Sequence, residues 1–332
     1  MSQCPTHVAL RLLALLFLLP AAWSATFTMT NNCGYTVWPG LLSGAGTAPL
    51  STTGFALAHG ASATVDAPAS WSGRMWARTL CAEDATGKFT CATGDCGSGG
   101  IQCNGGGAAP PATLVEFTLD GSGGMDFFDV SLVDGYNLPM IIVPQGGGAA
   151  APAGSGGGSG GKCMATGCLV DLNGACPADL RVMAASTGTG AAAPGGGPVA
   201  CRSACEAFGS PQYCCSGAYG NPNTCRPSTY SQFFKNACPR AYSYAYDDST
   251  STFTCTAGTN YAITFCPSTT SGKYSGGENP QAAGVPSTND TMVVLGAEQL
   301  STASSAAAHA APQLTLPLLP LVVVAALVAA MI

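Results

Sequence analysis

From Lys88 to Lys162 the chain carries no basic residue, yet Asp95, Glu116, Asp120, Asp126, Asp129 and Asp134 all fall between them. Carboxylates at this density can accept hydrogen bonds from sugar hydroxyls. A Glu and an Asp placed across a glycosidic bond can also act as acid and as nucleophile or base, their separation deciding the stereochemistry. The plain alternative is a solvated acidic face, and spacing alone leaves both readings open. Asp129 and Asp134 are an odd number of residues apart, so one regular strand cannot present both on one face. Bringing them together needs a bulge, or Asp134 in the loop before Gly135.

Other chemistries find little support. The histidines are His7, His59 and His309. The first and last lie in segments expected to be removed, which leaves His59 without a partner for a serine or cysteine triad. The close pairs Cys91 and Cys96, Cys163 and Cys168, and Cys214 and Cys215 resemble metal ligands only if reduced. The glycine runs lack the Lys-Ser/Thr of a phosphate-binding loop. No cofactor or metal is expected.

The carboxylates must be carried by strands. Residues 113–120 alternate, with Val115, Phe117 and Leu119 on one face and Glu116, Thr118 and Asp120 on the other. Similar short runs occur at 25–31, 35–38, 74–80, 127–133 and 261–265, separated by Gly, Pro and Asn. This pattern predicts an all-β, antiparallel sandwich. Residues 199–208 are the clearest helical candidate, with Cys201 and Cys205 on one face and Pro198 near the start. The cysteines between Cys163 and Cys238 mark a second, loop-rich region that is stapled rather than packed.

Seventeen cysteines include Cys4, which lies in a leader; the other sixteen run from Cys33 to Cys266. Eight disulfides would pair them, and so many persist only on an oxidising, secretory route. The leader is residues 1–24: an apolar run at 8–19 broken by Arg11, then Pro20 and Ala22-Trp23-Ser24, leaving Ala25 as the mature start. That run is too short to span about 30 Å of hydrocarbon. At the other end, residues 314–332 are almost wholly apolar and follow small residues and a polar spacer. This order matches a GPI-attachment signal at Ser304 or Ser305, with 306–332 as the removed propeptide. The body is then 25–267, interrupted by glycine- and alanine-rich insertions at 146–161 and 184–197 and followed by a polar linker, 268–305. That linker holds the glycosylation pattern Asn289-Asp290-Thr291. With 8% charged residues and a net charge of −6, the chain is a poor nucleic-acid binder. The same scarcity of bases argues against direct attraction to anionic membranes.

The stretch Gly87-Lys-Phe-Thr-Cys-Ala-Thr-Gly-Asp-Cys-Gly-Ser-Gly-Gly-Ile-Gln-Cys103 resembles the signature of thaumatin-like proteins, the plant pathogenesis-related and sweet-protein family. Resemblance extends over 25–267, through Asn32-Cys33, Gly73-Arg-Met-Trp-Ala-Arg78 and Pro110-Pro-Ala-Thr-Leu-Val-Glu116. It continues in Gln212-Tyr-Cys-Cys215, Tyr230-Ser-Gln-Phe-Phe-Lys235 and Tyr261-Ala-Ile-Thr-Phe-Cys-Pro267. It implies a flattened antiparallel β-sandwich beside a disulfide-rich, partly helical region and a small looped region. The implied bridges are Cys33–Cys266, Cys81–Cys91, Cys96–Cys103, Cys163–Cys255, Cys168–Cys238, Cys176–Cys201, Cys205–Cys214 and Cys215–Cys225.

The resemblance also implies an acidic cleft of one Arg, one Glu and three Asp, matched here by Arg74, Glu116, Asp129, Asp134 and Asp247. Asp126 and Asp248 are near neighbours of the matched positions. The function it implies is a defence-related protein binding β-1,3-glucan or a related fungal wall polysaccharide; a monomer is expected, held at the outer plasma membrane by the lipid anchor read from the C-terminal segment, or released. One alternative is a weak endo-β-1,3-glucanase using Glu116 as acid and Asp129 as nucleophile or base. Another is a protein-binding surface scaffold with a vestigial cleft.

Overall fold

The computed structural model describes residues 23–146, 163–183 and 196–267. Most of the expected leader, nearly all of both glycine-rich insertions, the linker with Asn289, and the anchor segment with Ser304 and Ser305 lie outside them. Thirteen strands occur among the described residues: β1 (Trp23–Asn31), β2 (Trp38–Ser43), β3 (Ser62–Pro68), β4 (Ser72–Glu83), β5 (Phe89–Thr93), β6 (Leu114–Thr118) and β7 (Met125–Ser131). There follow β8 (Met140–Gln145), β9 (Thr166–Cys168), β10 (Arg181–Met183), β11 (Pro198–Cys201), β12 (Phe253–Thr256) and β13 (Asn260–Phe265). One sheet has the order β3-β1-β13-β8-β9; a second runs β12-β7-β6-β4-β2, with β5 added to the far end of β4. Pairing is antiparallel except between β1 and β13, which run parallel with Phe27 opposite Tyr261. The antiparallel sandwich is as expected, with this one parallel pair where the first and last strands meet inside a sheet.

Period-two sequences explain the packing. Along β7 the burial alternates, with Asp126, Phe128 and Val130 turned inward and Met125, Phe127 and Asp129 turned outward. Inward residues of the two sheets interleave around Phe27, Phe117, Phe128 and Tyr261, with ring centroids 4.7 to 6.2 Å apart. Burying side chains of this size stabilises by roughly 2–3 kcal/mol each. Asp126 is the carboxylate inside this core: Tyr261 donates to its Oδ2 at 2.8 Å and the Asp120 amide to its Oδ1 at 3.0 Å.

A second, smaller core of Trp76, Cys103, Ala112 and Leu114 lies on the outer face of the second sheet. Trp76 donates from its indole to the Gly94 carbonyl at 2.7 Å, tying the looped region over that face. Beyond the sandwich lie α1 (Ala204–Phe208), α2 (Pro211–Cys214), α3 (Thr229–Ala237) and α4 (Asp248–Ser251). The helix expected at 199–208 is corrected: 198–201 form β11 and only 204–208 are helical. Cys201 is bonded to Cys176 and exchanges two backbone hydrogen bonds with Tyr136, which holds it extended. Ser203 then caps α1 by accepting from the Glu206 amide. Likewise the strand expected at 35–38 begins at Trp38.

All eight disulfides pair as the resemblance implies: Cys33–Cys266, Cys81–Cys91, Cys96–Cys103, Cys163–Cys255, Cys168–Cys238, Cys176–Cys201, Cys205–Cys214 and Cys215–Cys225.

Candidate functional site

In the second sheet β4, β6 and β7 lie side by side. Arg74 stands opposite Glu116, and Glu116 opposite Asp129. Directly opposed residues point to the same face of a sheet, so these three form one row across its outer surface. Their sequence neighbours Met75, Val115 and Phe128 point into the core. The small core around Trp76 and Leu114 bounds the row on one side, where the looped region covers the sheet.

Asp134 reaches the row from the turn after β7. Gly135 there has φ 86°, and a Cβ on it would lie 2.6 Å from Pro111 Cβ and 2.7 Å from the Cys201 carbonyl. Glycine is required both for the left-handed turn and for this close approach. The Asp134 carbonyl accepts from the Ala112 amide at 3.0 Å, which fixes the turn to the segment leading into β6.

The end of the row beyond Asp129 is closed by residues 241–252. Tyr242 exchanges backbone hydrogen bonds with β7 and its continuation, its amide donating to Val130 and its carbonyl accepting from Leu132, both at 2.8 Å. Its hydroxyl donates to Asp248 Oδ1 at 2.8 Å and also meets the Thr252 hydroxyl. Arg74, Glu116, Asp129, Asp134, Tyr242 and Asp248, with Leu114, Ser131, Val133 and Ala245, enclose an open cleft of about 340 Å³. That falls within the range of about 300–1,000 Å³ usual for small-molecule sites.

Asp247, expected in the cleft, is corrected. It is buried behind the cleft wall, paired with Lys235 at 2.8 Å and accepting from the amide and hydroxyl of Ser243. Asp248, the first residue of α4, faces the cleft in its place. Asp126 lies in the core, as described above. Asp120 accepts from the Ser70 amide, and Asp95 from the amides of Cys91 and Gly97, so both organise loops.

The cleft carboxyls are poorly compensated. Arg74 Nε is 4.0 Å from Glu116 Oε1, and the side chains are 45% and 39% exposed, so the pair is loose and screened. Burial raises the Glu116 carboxyl above its ordinary range, Arg74 opposes this, and Asp134 adds to it. Asp129 is pushed well above the usual range by burial first, then by Glu116 and Asp248. Its Oδ1 is buried with no hydrogen-bond partner among the described residues. Two carboxyls standing side by side titrate as a pair, and the first proton is held by both.

Sequence reasoning missed Tyr242 and Glu206. Tyr242 gives no signal of its own, because its place depends on a bridge to β7. Glu206, on α1, is 3.7 Å from Arg202 Nε. Burial raises its carboxyl to about 7, with Arg202 opposing and the cleft's Asp134 adding to the shift. Among the described residues no three His, Cys, Asp or Glu side chains are grouped to hold a metal.

Comparison with known proteins agrees with this architecture. The family model described as the thaumatin family matches residues 31–267. Thaumatin-like protein 1 of Prunus persica is 54% identical over 260 residues, covering 78% of this chain and 97% of that protein. Thaumatin-like protein 1 of Arabidopsis thaliana is 52% identical over 276 residues, covering 79% and 96%. A Prunus avium protein named glucan endo-1,3-beta-glucosidase is 52% identical over 246 residues, covering 74% and 92%. In motifs, disulfides and matched length alike, the chain belongs to the thaumatin family.

Proposed function

We propose that this protein is a secreted, surface-attached defence protein that binds β-1,3-glucan or a related fungal wall polysaccharide in the cleft of Arg74, Glu116, Asp129, Asp134 and Asp248. The observation that carries this reading is the row Arg74–Glu116–Asp129, closed at one end by Tyr242 and Asp248. Carboxylates accept from sugar hydroxyls, while the Arg74 guanidinium donates to them. Val133 and Ala245 offer apolar surface to the C–H faces of a ring. Four carboxyls against one guanidinium repel a polyanion, so a neutral polymer fits best. The β-1,3 linkage is proposed from the name of the cherry relative.

Binding is favoured over hydrolysis by the register. A hydrolytic pair stands on opposite sides of the scissile bond, whereas Glu116 and Asp129 are cross-strand neighbours on one floor. One observation supports the second reading, weak endo-β-1,3-glucanase activity: burial raises the Glu116 carboxyl in the direction a general acid needs. In that case Asp248 or Asp134, which reach the cleft from outside the two floor strands, is better placed than Asp129 to act as base.

The test is incubation of the secreted protein with insoluble β-1,3-glucan and with laminarin. Retention on the polymer without sugar release, lost in Glu116→Ala, is the expected result. Release that vanishes in the same variant would establish the hydrolase, and neither retention nor release would sink both readings. Attachment is tested separately: a GPI-cleaving phospholipase is expected to free the protein from membranes, and retention would refute the lipid anchor.

A further inference from the structure

Asp247 is an acid next to the cleft that does not face it. It lies in the segment 241–252, which supplies Tyr242, Ala245 and Asp248 to the wall. Behind that wall Asp247 Oδ2 receives the Lys235 ammonium at 2.8 Å, the Ser243 amide at 3.0 Å and the Ser243 hydroxyl at 2.9 Å. Lys235 also donates to the Ala241 carbonyl at 3.2 Å and to the Ser251 hydroxyl at 2.9 Å. One ammonium therefore grips the start, middle and end of the same segment.

The helix that carries Lys235 is itself immobilised. Ser228 and Ser231 close a capping box at the start of α3, Phe234 and Ala237 are buried, and Cys238 at its end is bonded to Cys168. Tyr242 pins the start of the segment to Val130 and Leu132, but α4, which carries Asp248, is a single turn without a side-chain cap. Asp247 is 8% exposed, so removing its partner leaves a carboxylate in a poorly solvated place.

We propose that Asp247 is a positioning residue: its pair with Lys235 latches residues 241–252 to α3 and thereby sets where Tyr242 and Asp248 stand in the cleft. The latch is a property of the free protein; its effect on ligand rests on the glycan-binding reading. It predicts that a residue on α3, which does not line the cleft, controls affinity as strongly as Asp247 does.

The experiment compares wild type with Lys235→Met, Asp247→Asn, their double variant and Asp248→Asn, all as secreted protein. Hydrogen exchange of the peptide 241–252 is read without ligand, and laminarin affinity by calorimetry. Lys235→Met and Asp247→Asn should each speed exchange in 241–252 and weaken laminarin about tenfold, with the double variant no worse than the poorer single one. Asp248→Asn should weaken laminarin with exchange unchanged. Unaltered exchange in both single latch variants would overturn the latch. So would lost binding in Asp247→Asn beside wild-type affinity in Lys235→Met, which would make Asp247 a direct ligand contact. If Asp247→Asn fails to fold, Lys235→Met, with a side chain of similar length, decides alone. If wild type does not bind laminarin, the glycan reading fails while the exchange data still decide the latch.

Discussion

Replacing Asp129 by Asn should stabilise this protein at neutral pH, although it removes a side chain from the proposed binding site. The cross-strand register places the Glu116 and Asp129 carboxyls side by side. At about 5 Å and an effective dielectric near 20, two such charges repel by about 3 kcal/mol. Glu116 is 39% exposed and faces Arg74, so solvent and the guanidinium reduce this to roughly 1–2 kcal/mol. Asn would also turn an Nδ2 donor toward the Glu116 carboxylate. The folded-state carboxyl of Asp129 lies above its unfolded value, so its contribution to stability is full below about pH 4 and is lost as pH rises through the folded value. The gain in Asp129→Asn should therefore be near zero at pH 3 and larger at pH 7. For a domain of this size that is a rise in Tm of roughly 2–8 °C at pH 7. Thermal unfolding with disulfides intact, at both pH values, measures it. A fall in Tm at pH 7, or an equal shift at pH 3 and 7, would show that the two carboxyls do not repel.

Glu206→Gln should flatten the pH dependence of stability on the alkaline side. Its carboxyl, raised to about 7, supports the fold while protonated and loses that support as pH rises through 7, so urea midpoints of wild type and variant should diverge between pH 5 and 8. Gly135→Ala should destabilise by roughly 1–3 kcal/mol, because it adds a Cβ against Pro111 and Cys201 in a left-handed turn. Laminarin affinity should fall with it as Asp134 is displaced; calorimetry and thermal unfolding of the same sample check both.

The strands that build the cleft floor were legible in the sequence because alternation at 113–120 and 127–133 is a local property. The row itself was not. That Arg74, Glu116 and Asp129 are direct neighbours depends on the register of three strands, which no local pattern states. The odd spacing of Asp129 and Asp134 left open a bulge or a loop before Gly135, and Asp134 lies in the turn there. Between Asp247 and Asp248 the sequence offers no choice. The outcome is decided by Lys235 on α3, which draws one carboxylate inward and leaves the next facing the cleft. The helix expected at 199–208 failed for a related reason. Apolar spacing and cysteines four apart suit a helix, but Tyr136 and Cys176 hold Cys201 extended, so the helix starts only after the Ser203 cap.

On the proposed reading, the carboxylate-lined cleft binds neutral β-1,3-glucan. Calorimetric titration of soluble laminarin into the secreted protein at pH 5, beside Glu116→Ala, tests it most directly. Saturable heat is expected for wild type, with affinity at least about tenfold weaker in the variant, a difference of about 1.4 kcal/mol. No saturable heat with wild type, or equal affinity in both proteins, would contradict it.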